Sequence, residues 1–154
     1  MIVFALTFCL FSYDMVMSLE PHWFSTMFGV YTFSGLFVSG LAFLVITIVY
    51  LKKRGYLKDE INDNHYHDLG KFMFGFTTFW AYIWFCQYLL IWYSNISEES
   101  EYYVLREHFG WDWIFWFNFI INWIVPFLIL MPREMKRNAN VLLKVAFIIL
   151  IGQW

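Results

Sequence analysis

Residues 28–51 read FGVYTFSGLFVSGLAFLVITIVYL, twenty-four positions in a row without a charged side chain. As an α-helix this run would extend about 36 Å, more than the roughly 30 Å hydrocarbon core of a bilayer. Two other runs are of similar length, Phe72 to Tyr93 and Trp113 to Met131, and two shorter ones, Met1 to Tyr13 and Val141 to Trp154, meet the ends of the sequence. Lipid offers backbone amides no partner, so each run must satisfy its own hydrogen bonds as a helix. The period-2 alternation of a membrane barrel is absent. The pattern predicts an all-α, polytopic transmembrane helix bundle with about five crossings, over about 1–13, 28–51, 72–93, 113–131 and 141–154. Met1 to Tyr13 lacks the basic start and small-residue cleavage site of a signal peptide. Both terminal runs read as cut helices, so residues 1–154 are expected to be one transmembrane domain, an internal fragment of a longer chain.

Composition agrees. Charged residues make up 14% of the chain and hydrophobic ones 61%, whereas soluble domains are about 25% charged. Too few charges remain to coat a water-facing surface. Aromatic residues reach 25%, and many sit at the ends of apolar runs, where amphipathic rings favour the headgroup level. A net charge of -2 gives no basic surface for nucleic acid. Cys9 and Cys86 fall inside apolar runs, away from any paired-cysteine or Cys/His motif, and read as small buried hydrophobes.

The connecting segments alternate in charge. Lys52, Lys53, Arg54, Lys58 and Lys71 lie between the second and third runs, and Arg133, Lys136, Arg137 and Lys144 follow the fourth. The positive-inside rule assigns segments 52–71 and 132–140 to the cytoplasm. Segment 14–27 carries Asp14, Glu20 and His22 without Lys or Arg, and segment 95–112 carries Glu98, Glu99, Glu101 and Glu107 against Arg106. These two are expected to be periplasmic. Gly29, Ser34, Gly35, Ser39, Gly40 and Ala42 recur along the second run, a composition that lets helix backbones approach closely. Pro126 predicts a kink within the fourth run, with no loop there.

The candidate chemistry is carried by a few polar groups. Asp14, Glu20 and His22 stand at the edge of a low-dielectric region, where carboxylates and imidazoles serve proton entry or exit; solvated loop anchors are the alternative. His67 and Asp68 open the third helix, Asp68 as an N-cap or first-turn acid and His67 as a proton relay or quinone-headgroup ligand. The neighbouring carboxylate is expected to raise the imidazole. His65 and His67 lack the i, i+4 spacing of a metal pair, and no metal site is predicted. Tyr31, Tyr82, Gln87, Asn118 and Asn122 are expected to line the bundle. Asn118 and Asn122, four apart, share one face, which either lines a water wire or bonds neighbouring helices.

Three segments, Ser18-Leu-Glu-Pro-His-Trp-Phe-Ser-Thr26, Asn64-His-Tyr-His-Asp-Leu-Gly-Lys-Phe72 and Phe79-Trp-Ala-Tyr-Ile-Trp-Phe-Cys-Gln-Tyr88, resemble the membrane subunits of bacterial alternative complex III, a quinol:cytochrome c oxidoreductase. Those subunits belong to the NrfD/polysulfide reductase membrane subunit family, and the likeness is greater to the second of the pair (ActF-like) than to the first (ActC-like). The resemblance implies an NrfD-like four-helix bundle plus a flanking helix in a bacterial inner membrane. It further implies a role supporting quinol oxidation and proton translocation through polar half-channels, with Asp14, His67 and Asp68 as candidates by motif position. The partners would be the paired NrfD-like subunit and other subunits carrying haem c and iron–sulfur clusters. This segment would hold no cofactor and would not be catalytic on its own, quinol being the substrate of the complex. A scaffold subunit and a secondary transporter are the competing roles.

Overall fold

The computed structural model describes residues 2–57, 60–108 and 110–153. Met1, Lys58 and Trp154 lie outside the described residues, as do the side chains of Glu98, Arg106 and Glu107. Among the described residues the chain is helical without strands. The elements are α1 (Ile2–Met15), a single 3-10 turn (Met17–Leu19), α2 (Phe28–Arg54), α3 (Asp63–Ser94), α4 (Ser97–His108), α5 (Asp112–Phe119), a π turn (Ile120–Ile124), α6 (Val125–Leu130), α7 (Arg133–Arg137) and α8 (Ala139–Gln153).

Among the described residues, four stretches are long and apolar enough to cross a membrane: Ile2–Leu19, Phe28–Arg54, Asp63–Ser94 and Asp112–Leu130. The fifth expected crossing is represented by α8, which has 15 described residues and at about 1.5 Å per residue falls short of a 30 Å core. The surface is inverted relative to a soluble protein. Phe4, Leu10, Phe43, Leu90, Trp92, Leu128 and Ile151 are all exposed, more contiguous apolar area than water tolerates. The protein is a multi-pass membrane protein.

The core forms where α2, α3, α6 and α8 converge. Val38, Ala42, Val45 and Val49 of α2 meet Met73, Trp80 and Trp84 of α3, Leu130 of α6, and Leu142, Val145, Ala146 and Ile149 of α8. Helix α2 packs most extensively on α8 and α3, and α1 flanks it from outside. Small residues permit these approaches one contact at a time. A Cβ on Gly29 would lie 2.9 Å from the Tyr13 ring of α1, and one on Gly35 2.8 Å from Gln153 Oε1 of α8. Gly40 differs from the expectation: it faces open space, because residues five apart are turned by about 140° around a helix. Cys9 and Cys86 are free and half-buried rather than enclosed.

Helix α3 starts earlier than its apolar run. Asn62 Oδ1 accepts from the backbone N–H groups of Asn64 (3.0 Å) and His65 (3.3 Å), and His65 Nδ1 accepts from Asn62 N–H at 3.2 Å. This reciprocal cap fixes the start at Asp63 and leaves Asp68 in the second turn, neither at the N-cap nor in the first turn where the sequence suggested it. At 32 residues α3 is about 48 Å long, so the polar stretch 63–71 projects beyond the hydrocarbon. Asn62→Ala is expected to cost about 1 kcal/mol. Hydrogen exchange should show it as faster exchange at residues 63–66, with residues 75–90 unchanged. Asn95 closes the other end in the left-handed conformation, φ 46°, a C-cap role that asparagine fills without great strain.

Pro126 is accommodated by the π turn. Its missing N–H and its ring disfavour the usual bond to the carbonyl four residues back. The chain widens instead, and Val125 N–H donates to Ile120 O. No loop interrupts the helix.

The two basic segments share one end of the bundle. Arg137 Nη2 donates to Asn64 Oδ1 at 2.7 Å, and a Cβ on Gly70 would lie 3.0 Å from the Lys136 side chain. The two acidic segments share the other end, where Trp23 stacks on Tyr102 at 4.0 Å.

Candidate functional site

At the acidic end, the 3-10 turn and its following loop fold back over α2, and α4 closes against them from the opposite side. Between them lies a cavity of about 650 Å³, within the 300–1,000 Å³ range of small-molecule sites. Glu20, His22 and Glu101 stand among its lining residues, together with Tyr31, Gln87 and Asn118; Trp23, Phe28, Trp84, Tyr102, Tyr103, Trp111, Ile114 and Phe115 supply the rest.

Each wall has a local cause. Trp23, 6% exposed, is held edge-on by Phe28 at 5.5 Å as well as by the Tyr102 stack. Its Nε1 is enclosed without a partner among the described residues, a cost borne by the fold at this wall. Tyr13 anchors the loop by donating its hydroxyl to Thr26 O at 2.5 Å. Trp84 lies between Phe115 at 4.9 Å and Phe119 at 4.6 Å, joining α3 to α5. Gln87 is buried, and its Nε2 reaches Ser25 Oγ at 3.4 Å.

Asn118 connects the cavity to the interior. Its Oδ1 accepts from Asn122 Nδ2 at 2.8 Å, and the same Nδ2 reaches Gly152 O of α8 at 2.8 Å. Asn122 is 1% exposed, and its Oδ1 has no partner among the described residues, like the neighbouring Gln153 Nε2 and Trp123 Nε1. Of the two uses foreseen for this polar face, the structure shows the bonding of neighbouring helices. The Asn122 amide thus ties the helix that carries it to α8.

The remaining candidates lie elsewhere. Asp14 is exposed and outside the cavity lining, and Tyr82, 62% exposed, faces away from the bundle. His67 and Asp68 stand at the opposite, basic end, and they do not form the expected relay. Asp68 pairs with Lys71 at 2.7 Å, and that hydrogen bond and charge hold its carboxyl below the usual range. Burial, then the charges of Lys71, Arg133, Lys136 and Arg137, push His67 below its ordinary value rather than above it. Among the described residues no three His, Cys, Asp or Glu side chains gather where a metal ion could be held.

The aromatic walls were not legible beforehand. Trp23, Trp84, Tyr102 and Phe115 have the character of interfacial belt residues, and nothing local tells an inward ring from an outward one. The chain matches no family model, and no curated protein matches it.

Proposed function

We propose that this chain is an integral membrane subunit of a bacterial quinol:cytochrome c oxidoreductase of the alternative complex III type, and that its acidic-end cavity is the mouth of a proton half-channel. The observation that carries the reading is the polar row leading inward from that cavity: Asn118 in the lining, Asn122 bonded to it, and the unpartnered Oδ1 of Asn122 deep among the helices. Glu20, His22 and Glu101 at the mouth can exchange protons with water, and the amides behind them can order water across which protons hop. In this reading the basic segments 52–71 and 132–140 face the cytoplasm and the cavity opens to the periplasm of the inner membrane. Quinol oxidation, haem c and iron–sulfur clusters belong to the assembly, including the paired NrfD-like subunit.

The test uses the intact complex in sealed vesicles with Asn118→Leu, which keeps the volume and removes the amide. Protons moved per quinol oxidised are expected to fall roughly tenfold, which needs only about 1.4 kcal/mol on the transfer step. An unchanged proton ratio would make the chain a scaffold. Proton or solute flux through vesicles holding this chain without its partners would instead favour a transporter.

A further inference from the structure

The basic end gathers a second, separate cluster of charged side chains. Helix α7 lies close against the start of α3, since a Cβ on Gly70 would come within 3.3 Å of the Lys136 backbone. This contact brings Arg133, Lys136 and Arg137 of α7 beside His67 and Lys71 of α3, all four cations acting on the one imidazole. The carboxylates on these two helices are Asp63, Asp68 and Glu134. Only Asp68 forms an ion pair among the described residues, with Lys71. Arg137 is oriented by Asn64 Oδ1, and Lys136 lies over the Phe74 ring at 4.8 Å, so both heads are positioned without being neutralised. His67 Nδ1 is enclosed and unpartnered, which leaves the other ring nitrogen to bond outward. Apolar surface begins immediately alongside, at Phe72 (58% exposed) next to Lys71 and at Met131 (61% exposed) two residues before Arg133.

We propose that this α3–α7 corner binds the phosphate of an anionic glycerophospholipid, with Arg133 and Arg137 on the phosphate oxygens and the acyl chains lying on the apolar surface that starts at Phe72 and Met131. Guanidinium groups match phosphate oxygens with paired donors. Basic pockets between membrane helices are suited to anionic headgroups. The juxtaposed apolar surface favours a lipid over free phosphate.

The test takes the full-length protein in its native assembly, stripped of lipid in detergent, and counts bound phosphatidylglycerol by native mass spectrometry. Phosphatidylglycerol is expected to bind saturably, with phosphatidylcholine at least tenfold weaker. The double variant Arg133→Gln/Arg137→Gln should weaken phosphatidylglycerol by roughly thirtyfold, about fivefold for each basic residue removed. Lys53→Gln/Arg54→Gln, at the same end but outside the corner, should leave affinity unchanged and controls for general surface charge. Equal losses in both double variants, equal binding of the two lipids, or displacement by millimolar inorganic phosphate would each overturn the assignment.

Discussion

Gly152→Ala is expected to destabilise the protein by about 2–3 kcal/mol, although alanine is the better helix former by about 1 kcal/mol. A Cβ at this position would lie 2.7 Å from Asn122 Oδ1, 2.8 Å from Ile121 Cγ2 and 2.9 Å from Asn122 Nδ2. Asn122 cannot swing aside, because its Nδ2 is committed to Asn118 O, Asn118 Oδ1 and Gly152 O. Either α8 moves away from the π turn or those bonds break. Overpacking costs about 1–3 kcal/mol and each lost hydrogen bond about 1 kcal/mol, which together outweigh the gain in propensity. Gly40→Ala, whose Cβ meets nothing within 4 Å, is the control and should be neutral or slightly stabilising. Unfolding of the detergent-solubilised protein compares the two. Equal midpoints would mean that α8 does not pass so close.

Trp80→Ala carries the other large effect. Trp80 is among the largest fully buried side chains, 2% exposed near the middle of α3, with the Tyr31 ring 5.8 Å away. In a soluble core its truncation would cost about 3–5 kcal/mol. In a bilayer the transfer part of that cost shrinks, since lipid is as apolar as the core, and the void with its lost dispersion contacts remains. The expected loss is therefore about 2–3 kcal/mol, read as easier unfolding by an anionic detergent. Trp80→Phe should cost less than about 1.5 kcal/mol. The comparison is Trp92→Ala, at a residue 67% exposed. If the two alanine variants behave alike, packing around Trp80 does not hold the helices together.

Hydropathy located the helices well where charge was absent and poorly where polar residues were helical. An uncharged run of Phe28 to Leu51 leaves no alternative to a spanning helix. The first turns of α3 were missed because hydropathy reports contact with lipid, whereas the start of α3 is set by the hydrogen bonds of Asn62 and His65. Helix α4 was hidden for the same reason, being polar apart from Tyr102, Tyr103 and Val104 on its described side chains. In the candidate site, Glu20, His22, Tyr31, Gln87 and Asn118 were visible as polar groups out of place near lipid. That they would meet, and that Asp14 would not join them, depends on how the 3-10 turn and α4 fold over the bundle. His67 shows why a neighbour in sequence is a weak guide to electrostatics. Its adjacent carboxylate is taken by Lys71, and α7 contributes three cations that local sequence could not foretell.

The π turn also sets the phase of its helix. In regular α geometry Asn118 and Leu130 would point about 120° apart, and absorbing one extra residue brings them to within about 20°. The side chain that opens towards the cavity and the one that seals the opposite half of the bundle can thus both look inward along a single rod. Upstream and downstream of that one wide turn, the rod obeys two rotational settings.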